Sequence, residues 1–513
     1  MSNEANESAT GAAVPHEAAL AGGDEPVVTR ERTVGNAKGP RWWVLAVAAL
    51  CGALLGAVAA VLVDRSDSIE VASPTEGTAE PTTPLLSARR VPGWTTELTA
   101  KRSIVAAVEP IAAMAPAQTC IGVGLGGETV YSANGAIPLT PASNQKLLTA
   151  AAAIEILGAD TTLETDFRVQ TPPSGGVVEG NLWMVGGGDP LLTTDARAGG
   201  PGDTARPQTD LESAAEELVA QGVSRINGSV VGDDSRHDTT RLLPGWPERW
   251  LRGGTVAPLS ALLANDGWLV DPTTGEGPGG AAPDPPAHAA SVMTQLLTER
   301  GVEVAGAPAA GVAPAEAETL LAVPSLPVAE LAAALLTFSD NTTGELLLRE
   351  IGVAVSGEGS TAAGAAAVFD WAATKGWPVE GAVVADGSGL SSANDLTCEL
   401  LAAVLRSDGP DGPVASGLAI PGQPGTLDDR FGGQEWPARL RAKTGTLNEV
   451  TSLSGWLLTR PGSTLDFEIV TNTGDRRVNA EDIAFQSRLL TALLDQPLAP
   501  PLEEAGPQPP RSG

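Results

Sequence analysis

The chain has 513 residues, a formal net charge of −31 and a sequence pI near 4.4. That length allows two or more domains, and that charge excludes nucleic acid as a partner, because phosphate contacts need clustered Lys and Arg. Three cysteines without a CxxC pair and three scattered histidines, His16, His237 and His288, give no metal-ligand spacing and no recognisable catalytic histidine, so neither a metal nor a cofactor is expected.

Residues 1–41 are small and polar and read as a disordered tail, closing on Arg30, Arg32, Lys38 and Arg41. The uncharged run Trp42 to Val63 follows. At 1.5 Å per residue it reaches about 33 Å, enough to span a bilayer. Its basic N-terminal flank predicts a cytoplasmic tail and a single-pass signal anchor over 42–63, with all that follows extracytoplasmic. The alternative is a cleaved signal peptide ending at Ala57-Val58-Ala59. Residues 64–92, rich in Ser, Thr and Pro, form a linker.

A helix is predicted over 95–113 and a hairpin over 120–135, turning at Gly126-Gly127. Thr140 as N-cap and Pro141 at the first position open the next helix, which Gly158 stops. Residues 161–325 change character. Alternating stretches at 167–170 and 181–187 predict strands, Thr209 and Glu212 read as a capping box for a helix closed by Gly222, and 271–288 and 306–318 read as loops. From 326 helices return, including one near 395–406. A strand pair over 450–473 and a helix over 480–494 follow, before a Pro-rich tail at 497–513.

Only five lysines occur, and Lys146 stands three residues after Ser143 at the start of the Thr140 helix. There the unsatisfied N–H groups and the helix dipole favour negative charge on the serine oxygen. A buried lysine sheds its proton more readily and can act as the base, which arginine cannot do. SxxK alone arises by chance for roughly one lysine in fifteen, and its plain reading is an exposed lysine near a helix start. Downstream, however, stand Ser339-Asp340-Asn341 and Lys443-Thr444-Gly445-Thr446. Ser339 can relay a proton to a departing amine, and Asn341 offers an amide to a substrate backbone. Lys443 offers a charge for a free carboxylate and lowers the proton affinity of Lys146. Thr444 and Thr446 add hydroxyls, Gly445 clears a strand edge for an extended substrate, and the Thr446 N–H completes an oxyanion hole.

SxxK, SDN and KTG in that order resemble the penicillin-recognising serine enzymes. With Ser339 standing 196 positions after Ser143, and with "GNLWMVGGGDPLLT", "PGWPERW", "SDNTTGELLLR" and "DGSGLSSANDLT", the chain resembles the low-molecular-mass class C penicillin-binding proteins, the D-alanyl-D-alanine carboxypeptidase/endopeptidase family, over roughly 115–475. Gly344 stands where that family often has alanine. The resemblance implies an α+β fold, with a five-stranded antiparallel sheet flanked by helices as in serine β-lactamases. The catalytic domain would be 93–160 with 326–496, interrupted by a β-rich insertion at 161–325. It implies cleavage of peptidoglycan stem peptides through an acyl-enzyme on Ser143, and covalent inhibition by β-lactams. Ser143, Lys146 and Ser339 would be catalytic; Asn341, Lys443, Thr444, Gly445 and Thr446 would bind substrate. A β-lactamase, a D-amino-acid esterase or amidase, and a non-catalytic wall-binding or β-lactam-sensing protein are the alternatives. "DGSGLS" at 386–391 is either a tight glycine turn before a helix or a border of the site acting through Ser388. Cys120 and Cys398 both fall in the catalytic domain of an extracytoplasmic chain with no other partner, which predicts a disulfide between them.

Overall fold

The computed structural model describes residues 93–116, 118–198, 206–270 and 279–497. The predicted tails, membrane segment and linker lie outside the described residues. Among the described residues, no helix is long and apolar enough to cross a membrane.

In chain order the principal elements are α1 (Gly93–Ala112), β1 (Gln118–Leu125), β2 (Glu128–Ala133), α2 (Gln145–Leu157), β3 (Glu164–Val169), β4 (Leu182–Val185), α3 (Leu211–Ala220), β5 (Val230–Asp233), α4 (Pro285–Glu299), β6 (Ala309–Ala310) and β7 (Glu318–Pro324). Then come α5 (Val328–Phe338), α6 (Asn341–Ser356), α7 (Thr361–Thr374), α8 (Cys398–Asp408), β8 (Leu440–Thr446), β9 (Val450–Leu458), β10 (Thr464–Asn472) and α9 (Ala480–Leu493).

The early and late parts of the described chain build one sheet. Its order is β8-β9-β10-β1-β2 and every pair is antiparallel. Strand β9 is buried along all but its last residue, so both faces of the sheet must be covered. On one face Leu453, Phe467 and Ile469 pack with Ile104 and Val108 of α1 and Phe485 and Leu489 of α9. On the other, Trp456 and Val470 join Leu147 and Leu148 of α2, Leu335 of α5 and Leu401 of α8. The α+β architecture with an antiparallel sheet between helices is therefore present. Cys120 and Cys398 are bonded, with Cα atoms 6.1 Å apart, tying β1 to the first residue of α8.

Residues 164–324 add no strand to that sheet. They form a mixed sheet of order β6-β5-β4-β3-β7, with short pairs elsewhere. Its core joins Phe167, Leu182 and Met184 to Leu218 of α3 and Met293 and Leu297 of α4. Two local expectations are corrected here. The cap of α3 is Asp210, whose carboxylate accepts from Glu212 N and Ser213 N, while Glu212 Oε1 instead accepts from Asp195 N. The stretch read as a loop to 288 contains the start of α4: Asp284 caps it, and Pro285 and Pro286 need no N–H at the first helical positions.

Candidate active site

Ser143 does not sit in a continuous α-helix. Residues Ala142–Asn144 form a 3₁₀ turn ahead of α2, and Ala142 takes φ +49°. Thr140 does not cap with its side chain; its backbone N–H and C=O are both engaged by the Asn472 amide, at 3.0 and 2.9 Å. The turn is bolted to β9 as well. Ser452 Oγ donates to Pro141 O at 2.7 Å, and Asn144 Nδ2 donates to Ser454 Oγ at 2.7 Å. These bonds reach past β8, and Gly445 is what lets them. A Cβ there would lie 2.1 Å from Ser452 Oγ, 3.0 Å from Ser143 N and 3.1 Å from Pro141 O. The missing side chain thus makes room for the serine turn, where the sequence suggested room for substrate.

Lys146, in the first turn of α2, is fully buried. Its Nζ donates to Ser143 Oγ at 3.0 Å, Asn341 Oδ1 at 2.7 Å and the Ser388 carbonyl at 2.5 Å. Burial lowers its pKa to about 8, against the opposing pull of Asp386, Asp340 and Glu345. Asn341 opens α6, and its Nδ2 donates to Thr255 O at 2.7 Å. Both ends of the amide are therefore held inside the protein. Ser339 ends α5 in the left-handed region, at φ +58°, and its hydroxyl has no hydrogen-bond partner among the described residues. Asp340 caps α6 through Thr343 N and pairs with Arg206 at 2.8 Å.

Lys443 is also fully buried, and its Nζ donates to Thr444 O at 2.8 Å. Burial first, and the charge of Lys146 second, push its pKa well below the usual lysine range. Strand β8 is the sheet edge. Leu447 N donates to Val450 O, and the register pairs Gly445 with Ser452. Alternation then turns the N–H and C=O of Thr444 and Thr446 to the open side.

The DGSGLS loop closes the site from below. Asp386 accepts from Gly389 N at 2.7 Å, Ser391 N at 2.6 Å and Asn394 Nδ2 at 2.7 Å. Gly389 takes φ +81°, and a Cβ there would meet the Ala142 carbonyl at 1.9 Å, so the loop presses directly on the serine turn. Gly344 of α6 backs the same loop, its missing Cβ lying 3.1 Å from Gly387 O. An apolar wall from the inserted segment, including Trp246, Trp250 and Val256, packs against Leu390 and Leu447.

The structure thus gathers Ser143, Lys146 and Asn341 by direct bonds and lays Gly445 against the serine turn. Sequence reasoning weighed the DGSGLS loop and Ser388 as a border of the site but did not find the Ser388 carbonyl or the Asp386 carboxylate as its parts, and it did not find Glu345, Ser452, Ser454 or Asn472. The available signal was polar residues at positions inside otherwise apolar runs, such as Ser452 and Ser454 in "VTSLSGWLL". Among the described residues no histidine bonds to Ser143 or Lys146; His237 is buried with Nε2 2.7 Å from Glu350 Oε1, and burial lowers its pKa.

A serine hydroxyl hydrogen-bonded to a buried amine, beside an open strand edge and a second lysine, is equipped for acyl transfer without histidine. The comparisons agree. The chain is 30% identical over 422 residues to the D-alanyl-D-alanine carboxypeptidase of Actinomadura sp. (strain R39), covering 67% of this chain and 76% of the relative. It is 32% identical over 372 residues to a carboxypeptidase of Mycobacterium tuberculosis, covering 70% and 77%. The fold is similar to that of penicillin binding protein 4 from Haemophilus influenzae, with a TM-score of 0.63, 22% identity and coverage of 75% of this chain and 99% of that one. The profile of the D-Ala-D-Ala carboxypeptidase 3 (S13) family matches residues 106–283 and 275–492, most of the chain, and the protein belongs to that family.

Proposed function

We infer that the protein is a serine D-Ala-D-Ala carboxypeptidase that cleaves peptidoglycan stem peptides through an acyl-enzyme on Ser143 and is inhibited covalently by penicillin. The observation that carries this reading is the buried Lys146 Nζ, 3.0 Å from Ser143 Oγ. As a neutral amine, Lys146 takes the hydroxyl proton while Oγ attacks the carbonyl of the penultimate D-Ala. The N–H groups of Ser143 and Thr446 receive the oxyanion. The C–N bond breaks, and the terminal D-Ala leaves with the proton, for which Ser339, two residues before Asn341, is the relay. Water then hydrolyses the ester. The terminal carboxylate docks at Lys443 and supplies the counter-charge that restores its proton, with Thr444 and Thr446 as further donors. Asn341 serves chiefly to hold Lys146, since its amide is already spoken for at both ends. The open edge of β8 suits an extended peptide added as a strand, which also fits D,D-endopeptidase action.

The Actinomadura relative bears the name of this activity, and a second structure of the Haemophilus protein is a complex with a β-lactam. The uncharged run 42–63 supports a membrane anchor with the catalytic part outside. The test is labelled penicillin followed by peptide mass mapping. A stable adduct on Ser143, absent in Ser143→Ala, is expected; an adduct on another serine sinks the assignment. Rapid loss of the adduct would indicate a β-lactamase, and no release of D-Ala from a D-Ala-D-Ala peptide would indicate a binding protein.

A further inference from the structure

Two buried carboxyl groups hold the DGSGLS loop, and only Asp386 belongs to it. The other is Glu345, one turn beyond Asn341 on α6 and fully buried. Its Oε1 accepts from Gly387 N at 3.0 Å and from Ser388 N at 2.7 Å. Asp386 gathers the next N–H groups, those of Gly389 and Ser391. Thr149 of α2 donates to the Gly387 carbonyl at 2.8 Å. The Ser388 carbonyl shares its peptide unit with Gly389 N, which Asp386 holds, so it points the opposite way and accepts from Lys146 Nζ at 2.5 Å, while Glu345 anchors the N–H of the same residue.

We propose that Glu345 is a positioning residue for the acylation step: by accepting the N–H groups of Gly387 and Ser388 it anchors the residue whose carbonyl, in the peptide unit that Asp386 holds through Gly389 N, reaches Lys146, and so it helps aim the amine at Ser143 Oγ. The proposal rests on the reading that Lys146 activates Ser143. Two further observations support it. The space around the loop is closed, since a Cβ on Gly387 would lie 2.2 Å from the Gly344 carbonyl, so the residue that Glu345 anchors, and with it the start of the peptide unit that reaches Lys146, has no slack. In addition, Glu345 Oε2 has no hydrogen-bond partner although it is buried, an arrangement tolerable for a neutral acid and costly for an anion. Burial, followed by the neighbouring Asp386, raises the Glu345 pKa to about 8, which agrees with a neutral acceptor at neutral pH. The charged and titratable groups around this centre are Lys146 on α2, Asp340 at the start of α6, Asp386 on the loop and Lys443 on β8.

The role is defined by acceptor geometry and not by charge, so the isosteric amide should preserve it. In the full-length protein, Glu345→Gln should acylate with penicillin, and turn over a D-Ala-D-Ala peptide, within about 3-fold of the parent, with the same acidic limb below pH 8. Glu345→Leu should lower kcat by at least about 30-fold with KM nearly unchanged, since a misplaced base costs rate and not substrate binding. Its acidic limb should move to lower pH, because an ammonium that loses a carbonyl partner is easier to deprotonate. A loss of packing alone would lower the melting temperature and leave kcat and the limb of the folded enzyme in place. Glu345→Asp keeps the carboxyl group with a shorter reach and should be slower than Glu345→Gln; this ranking decides the matter if the leucine variant does not fold. A leucine variant acylating at the parental rate, or an aspartate variant matching or exceeding the glutamine one, overturns the proposal. Ser143→Ala is run alongside: labelling that survives there refutes the nucleophile assignment, whereas abolished labelling with unaffected Glu345 variants refutes only the positioning role.

Discussion

Lys146 shows how burial changes the acidity of an ordinary side chain. Three acceptors surround its Nζ, yet desolvation outweighs the nearby acids and brings its pKa down to about 8. In the proposed mechanism the neutral amine is the active form, and the ammonium predominates below that value. The second-order rate of penicillin acylation should therefore rise with pH along a limb centred near 8, and flatten above it. A rate independent of pH between 6 and 9 would contradict Lys146 as base. Lys146→Arg should lose activity by at least about 100-fold, because guanidinium keeps its proton. Gly445 acts through space it leaves empty. Gly445→Ala puts a methyl 2.1 Å from Ser452 Oγ, so the serine turn must shift. A displacement on this scale costs on the order of 100-fold in rate. Stopped-flow acylation of a folded Gly445→Ala protein at the parental rate would show that the turn seats some other way.

At the scale of elements, α2, α6 and β8 each deliver one motif, and buried polar groups fix how they meet. Helix α6 presents Asn341 at its first residue and Glu345 one turn on; two turns beyond Asn341 and further, Arg349 and Glu350 face the inserted segment. There Glu350 receives Arg236 at 2.7 Å and His237 at 2.7 Å. One helix thus spans from the site to the insertion. The Cys120–Cys398 bond does similar work between β1 and α8, closing a sequence separation of 278 residues. Removing a native disulfide commonly costs about 2–5 kcal/mol. Cys120→Ala/Cys398→Ala is expected to unfold at a clearly lower temperature than the parent, and reductant should affect only the parent. Equal melting temperatures in calorimetry would mean that the bond carries no weight in stability.

For the whole molecule, both ends of the described chain are needed to complete one sheet, with β1 and β2 from before the insertion and β8 to β10 from after it. The inserted segment is more than a passenger, since Thr255 O accepts from Asn341 and Trp246 packs with Leu390. No motif residue lies before Gly93. A protein lacking residues 1–64 should therefore be obtained without detergent and be labelled by penicillin at a rate within about 2-fold of the full chain. A truncated protein that folds, by circular dichroism, and cannot be acylated would place part of the catalytic apparatus in the N-terminal segment.

What the sequence determined by itself was mostly local chemistry. Lys146 after Ser143, Asn341 after Ser339 and Lys443 before Gly445 are spacings of a few residues along the chain, and propensity and turn residues placed several elements well: the hairpin at Gly126-Gly127, α8, β9 with β10, and α9. Local signals failed where two neighbours competed for one role. Asp210 took the cap assigned to Thr209, and the Asp284 cap before two prolines hid α4 inside an apparent loop. Tertiary structure alone decided the rest, because each remaining contact joins residues distant in sequence. The seating of Pro141 on Ser452, the turn of Ser388 O toward Lys146 and the enclosure of both lysines depend on which faces meet in the packed core. A linear pattern carries the residues that can react; the dielectric and the directions that make them react exist only once the sheet and helices have closed around them.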